Sequence, residues 1–166
     1  ESGIPFEMAI SKNRYINRTF IEPTQDVREE KVKLKLTPLV NIIRGKRIAV
    51  MDDSIVRGTT SKQIVKMLFE AGAKEVHFLV SSAPIKFPDF YGIDTPRQNE
   101  LIGSKKTKKE ICKFLGANSI SYLSIAGMVK ATGLPKNRLS LSSFDGVYPI
   151  DIHERKKEIN YDVPKE

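Results

Sequence analysis

Arg47-Ile-Ala-Val-Met-Asp52-Asp53-Ser-Ile-Val-Arg-Gly58-Thr59-Thr60-Ser61 carries more information than any other stretch of this chain. Residues 48–51 form a short apolar run, which predicts a strand buried on both faces. Two carboxylates follow at the strand's carboxyl end. A turn with Gly58 and three hydroxyl residues then leads into a helical pattern. In an open parallel sheet, ligands sit at this place, outside a strand's carboxyl end and at the next helix's N-terminus.

The residue types define what would bind. The N–H groups at a helix start, with the positive end of its dipole, hold a phosphate. Thr59, Thr60 and Ser61 add hydroxyl donors, and Gly58 permits close backbone approach. Two adjacent carboxylates repel a phosphate and suit a sugar diol or a divalent cation instead. The run therefore reads as an acid pair for ribose hydroxyls and Mg2+, followed by a cradle for a 5'-phosphate. A plain strand-to-helix turn with Asp and Thr as caps would use some of the same residues. A Walker loop is excluded, because Gly-x4-Gly-Lys-Ser/Thr is absent.

Working outward, residues 61–71 place Ile64, Met67, Leu68 and Ala71 on one helical face, and Gly72 stops the helix. Residues 76–80 are the next apolar strand, completing a βαβ unit. His77 inside it reads as an ordinary sheet histidine. Residues 81–96 contain three prolines and read as a loop. From its residue type Leu101 reads as core. Thr107 to Glu110 is a capping box for a helix over 108–115. A strand over 119–123, a Ser124-capped helix over 125–132 and a last strand or hairpin over 144–152 follow. Upstream, residues 4–10 read as a strand, Thr24 as the cap of a helix over 25–30, residues 31–36 as a half-exposed strand, and 39–43 as a helical turn.

Composition sets bounds on these readings. The chain has 166 residues, 40% of them hydrophobic, enough for one compact domain. No apolar run reaches membrane-spanning length. Cys112 is the single cysteine, so neither an internal disulfide nor a cysteine-only metal site can form. A cytoplasmic protein is the default expectation. The net charge of +8 favours anionic partners. Lys105, Lys106, Lys108 and Lys109 cluster without interleaved aromatics, which speaks for a solvated helix start and against nucleic acid. The chain opens without Met on what reads as a helix end, which suggests a piece of a longer protein.

Residues 50–60, Val-Met-Asp-Asp-Ser-Ile-Val-Arg-Gly-Thr-Thr, resemble the phosphoribosyl pyrophosphate (PRPP) motif of type I phosphoribosyltransferases, in the form used by the glutamine PRPP amidotransferases. A second stretch, Lys12-Asn-Arg14-Tyr15-x-x-Arg18-Thr-Phe, resembles the flexible catalytic loop of that family. On residue types alone it is a surface loop or a cationic lid. Phe90-Tyr-Gly-Ile-Asp94 resembles a third family segment, near the acceptor side.

The resemblance implies a type I phosphoribosyltransferase fold, a mainly parallel sheet flanked by helices. Its first strand and helix would lie outside this chain. Residues 1–152 would form the domain and 153–166 a charged tail. It implies that ammonia released from glutamine attacks C1 of PRPP to give 5-phosphoribosylamine, the first step of purine synthesis. Lys12, Arg14, Tyr15 and Arg18 would act from the closing loop. Asp52 and Asp53 would hold the ribose diol and Mg2+, and Ser54, Ile55, Val56, Arg57, Gly58, Thr59 and Thr60 the 5'-phosphate. Purine nucleotides would be feedback ligands, a glutaminase domain would precede this segment, and the whole would be a homo-oligomer. Where iron–sulfur members carry cysteines, this chain has Asp89, Ser140 and Ser143, so no cluster is expected. Two alternatives share the acid–acid–phosphate loop. One is a PRPP-sensing transcription regulator, the other a phosphoribosyltransferase acting on a base.

Overall fold

The computed structural model describes residues 3–12, 36–92, 95 and 97–164. Its centre is a three-stranded parallel sheet in the order β3 (Arg47–Asp52), β4 (Glu75–Val80), β5 (Ser119–Tyr122). Arg47 pairs with Glu75 and Asp52 with Val80; His77 pairs with Ser119 and Val80 with Tyr122. All three strands therefore end at one edge. A small antiparallel ribbon joins β1 (Ile10–Lys12) to β2 (Leu36–Pro38). Helix α1 (Val40–Ile43) connects the ribbon to the sheet.

Helix α2 (Thr59–Glu70) is the crossover between β3 and β4, and α4 (Lys108–Leu115) precedes β5. A short α3 (Ile102–Lys105) leads into α4. Val65 and Leu68 of α2, with Ile111 and Leu115 of α4, pack on Val76, Phe78, Val80 and Ile120. Phe78 is fully buried at the centre of this layer. Removing such a ring costs about 3–5 kcal/mol, so this face carries much of the stability.

The opposite face departs from the expectation for β3. Ile48 and Val50 turn toward the core, whereas Ala49 and Met51 are exposed, Met51 by 74%. The unbroken apolar run is thus half-covered, because α2 and α4 both pack on the Ile48 side among the described residues.

Caps end the helices where their chemistry dictates. The Thr107 hydroxyl accepts from the Glu110 N–H at 3.4 Å, and the Glu110 carboxylate accepts from the Thr107 N–H at 2.8 Å. The Thr107 N–H and the Thr107 hydroxyl, both donating to the Glu110 carboxylate, hold that carboxyl below its ordinary range. Ser124 caps α5 (Ile125–Thr132) by accepting from Gly127 N–H at 3.0 Å.

Three expected elements differ. Residues 4–9 are not a strand; pairing begins at Ile10, and Phe6 and Met8 point into solvent. Leu36 and Pro38 are both in β2, so Pro38 closes that strand from within. Residues 144–152 form no strand. Helix α6 (Ser142–Asp145) occupies their start, Gly146 ends it in a left-handed conformation (φ 73°), and Tyr148 turns inward. The helix expected over 25–30, the strand over 31–35 and the 13–20 loop lie outside the described residues.

Candidate active site

The carboxyl edge of the sheet gathers the loops after β3, β4 and β5. Asp52 is the last residue of β3 and half-buried, and Asp53 follows, exposed. The Asp53 N–H donates to Asp52 Oδ1 at 3.0 Å, and the Ser54 hydroxyl donates to Asp53 Oδ1 at 3.1 Å. Burial pushes the Asp52 carboxyl up; the Asp53 N–H partly offsets this, and the Asp53 charge adds to it. An acid pair in this state gains from a cation.

The turn after the pair is built by opposing demands on neighbouring side chains. Ile55 is buried in the core, so only its backbone is available to a ligand. Arg57 points the other way and pairs with Glu100, its Nε donating at 2.9 Å and Nη2 at 2.8 Å. Gly58 is buried with φ 79°, and a Cβ there would lie 2.9 Å from Ile102 Cδ1 and 3.1 Å from Phe114 Cε1. Both the left-handed backbone and the close neighbours select glycine. As the N-cap of α2, Gly58 offers no side chain, so the first N–H groups of the helix are not capped by one. Thr59 and Thr60 open the helix half-buried beside those groups.

The structure thus brings together Asp52, Asp53, Ser54, Ile55, Val56, Arg57, Gly58, Thr59 and Thr60 at one sheet edge. Lys12 ends β1 and is exposed. Arg14, Tyr15 and Arg18 lie outside the described residues, as does Asp94 of the third segment.

Neighbours that the motif did not announce complete the edge. Ser81 donates to the Asp52 carbonyl twice, from its N–H at 3.0 Å and its hydroxyl at 3.1 Å. The parallel register carried this signal, since Asp52 pairs with Val80. Glu100 and Ile102, which embrace the turn, had no sequence signal. Leu101 is fully buried, as core. His77 is satisfied on both nitrogens, by Ser119 Oγ at 2.8 Å and Glu75 Oε2 at 3.0 Å. Lys105, Lys108 and Lys109 are exposed around the start of α4.

Among the described residues, no three of His, Cys, Asp and Glu gather into a metal-holding group, and no helix is long and apolar enough to cross a membrane. Two carboxylates are what a Mg2+ held jointly with substrate oxygens needs, and the cation-hungry state of Asp52 fits that role.

No family model matches the chain. The amidophosphoribosyltransferase of Synechococcus elongatus is 48% identical over 155 residues, covering 93% of this chain and 31% of the relative. That of Staphylococcus aureus is 46% identical over 165 residues, covering 97% and 33%. Among solved structures, glutamine PRPP amidotransferase from B. subtilis, complexed with ADP and GMP, matches with a TM-score of 0.79 at 48% identity, over 92% of this chain and 34% of that one. A structure described as the allosteric regulatory enzyme of purine biosynthesis matches equally, at 47% identity and a TM-score of 0.79. The chain therefore spans about a third of the length of the proteins it matches. Over that segment it is similar to the amidophosphoribosyltransferases and has the type I phosphoribosyltransferase fold.

Proposed function

We propose that this chain is the PRPP-binding part of an amidophosphoribosyltransferase acting in purine synthesis. The observation that carries the proposal is the Asp52–Thr60 turn, with its acid pair on the strand end and its uncapped helix start behind Gly58. The similarity of 93–97% of this chain to about a third of known amidophosphoribosyltransferases supports it.

In this reading, Asp52 and Asp53 receive the ribose 2'- and 3'-hydroxyls and hold Mg2+ together with substrate oxygens. The backbone of residues 54–60 and the hydroxyls of Ser54, Thr59 and Thr60 receive the 5'-phosphate. Arg57 serves by bracing the turn on Glu100. Nitrogen of ammonia forms its bond to C1 as the C1–oxygen bond breaks, and pyrophosphate leaves with the electron pair. Bound Mg2+ supplies neutralisation of the charge on that leaving group. Lys12, Arg14 and Arg18 approach the same charge when their loop closes, and Tyr15 excludes water.

The wider reading follows the relatives. Ammonia comes from glutamine, cleaved by a glutaminase domain outside this chain. Purine nucleotides regulate the enzyme, as the ADP and GMP complex of the B. subtilis protein suggests. Residues 1–152 belong to the phosphoribosyltransferase domain and 153–166 to a charged tail. The enzyme is a cytoplasmic homo-oligomer without an iron–sulfur cluster, acting on neither nucleic acid nor membrane.

Calorimetric titration of the chain with Mg·PRPP tests the core of this reading. Saturable binding that needs both Mg2+ and PRPP is expected. Ribose 5-phosphate should compete, because it carries the same phosphate and diol. Binding of PRPP that is indifferent to Mg2+ and to ribose 5-phosphate would remove the assignment.

A further inference from the structure

Residues 98–104 form the outer wall of the phosphate turn. Ile102 donates its N–H to the Val56 carbonyl at 2.8 Å, Glu100 grips Arg57, and the Ile102 side chain lies against Gly58. The Gln98 side chain holds this wall from behind. It is only 8% exposed, unusual for a glutamine. Its Nε2 donates to the Lys86 carbonyl at 3.0 Å and to the Asn160 carbonyl at 2.8 Å. Its Oε1 accepts from the Asn160 N–H at 2.7 Å. The Gln98 carbonyl accepts from the Ser104 hydroxyl at 2.6 Å and from Leu101 N–H at 3.0 Å.

A single buried amide thus uses both donors and its acceptor on the backbones of two remote segments. The tail has further grips beside it. Lys86 Nζ donates to the Pro164 carbonyl at 3.0 Å, and the Phe87 and Tyr161 rings lie 5.7 Å apart. Residues 160–164 therefore act as a strap across the back of the wall, held through the Asn160 and Pro164 backbone and the Tyr161 ring although Asn160, Tyr161 and Asp162 are themselves exposed.

We propose that Gln98 is a positioning residue, through which docking of residues 160–164 sets the geometry of the phosphate turn. It acts on the site through Glu100 and Ile102. The proposal rests on the PRPP reading only for the identity of the ligand; the mechanical coupling stands apart from it.

The test is hydrogen exchange on the full chain, on Gln98→Ala, and on a chain ended after Ile159, with Mg·PRPP titrations alongside. The Ile102 amide, which donates to the Val56 carbonyl, and the Lys62 amide, which donates to the Gly58 carbonyl, should exchange roughly tenfold faster in both variants, the change made by about 1.4 kcal/mol of local stability. The amides of β4 should stay unchanged, and Mg·PRPP affinity should fall by a similar factor. Faster exchange confined to residues 86–98 and the tail, with the Ile102 and Lys62 amides unchanged, overturns the coupling. If Gln98→Ala loosens β4 as well, the shortened chain decides by the same criterion, and a global loss in both variants also overturns it. A parent chain that fails to bind Mg·PRPP refutes the functional reading alone, since the exchange readout does not involve the ligand.

Discussion

The turn after β3 and the loop after β4 flank the same site and are held in opposite ways. The phosphate turn is assembled from a strand end, a glycine and a helix start that are contiguous in sequence, with Glu100 and Ile102 as its remote brace. The loop over 81–97 borrows its supports from the last third of the chain. Ala83 N–H donates to Met128 Sδ at 3.0 Å, and the N–H groups of Lys86 and Phe87 both donate to the Ser143 carbonyl. Tyr148 donates to the Pro88 carbonyl at 2.8 Å, Tyr91 to the Ile150 carbonyl at 2.8 Å, and Arg155 lies 4.3 Å over the Phe90 ring. A locally built site concentrates its demands on a few strict positions. A remotely held one divides them among many partners, each worth little alone.

The sharpest way to break this contrast is at the acid pair. Asp52→Asn with Asp53→Asn removes the two carboxylates proposed to hold the ribose diol and Mg2+, worth about 4 kcal/mol together, and should weaken Mg·PRPP binding roughly a thousandfold. Unchanged affinity by calorimetry would mean the turn does not receive the ribose. Next is Gly58→Ala. A left-handed alanine costs about 1–2 kcal/mol, and the 2.9 Å approach to Ile102 adds an overpacking penalty, for about 3 kcal/mol in urea unfolding. A loss below 1 kcal/mol would show that the turn yields more readily than its contacts imply.

On the other side of the comparison, Tyr148→Phe should cost only about 1 kcal/mol. Its phenol, pushed up chiefly by burial, loses one bond to Pro88. Proteolysis within 81–97 should quicken while Mg·PRPP affinity holds. Equal damage to affinity would erase the distinction between the two loops. The smallest effect concerns pH. Because Asp52 has a raised carboxyl pKa in the fold, its contribution to stability is fully present below about pH 3.8 and is lost as pH rises through the folded value. Asp52→Asn should therefore melt at a higher temperature than the parent at pH 7, with no such gain below pH 3.8. A lower melting temperature at pH 7 would contradict the burial of that carboxylate.

What could be read in advance follows the same division. Strand β3, helix α2, strand β4 and the capping box at Thr107 were legible because period, cap and glycine act within a few residues. The backbone of the Asp52–Thr60 turn, proposed to receive ribose and phosphate, shared that locality. The 144–152 segment reads as a strand or hairpin because Val147, Tyr148, Ile150 and Ile152 are residue types that favour strands. Gly146 and the long-range pull of Pro88 on Tyr148 override it. The half-covered face of β3 was invisible for a related reason. An apolar run reports what a strand can bury and does not report which neighbours are present. Gln98 gave no signal, since its partners are backbone groups 12 and 62 residues away.

The strap has a consequence for the order of events during synthesis. The βαβ contacts close over a separation of 28 residues, as between Arg47 and Glu75. The strap closes over 62 and 78, between Gln98 and Asn160 and between Lys86 and Pro164. Long separations are late and slow to form. A ribosome must therefore release residues 160–164 before the wall behind the phosphate turn can lock, so a nascent chain holds a recognisable sheet well before it holds a finished site.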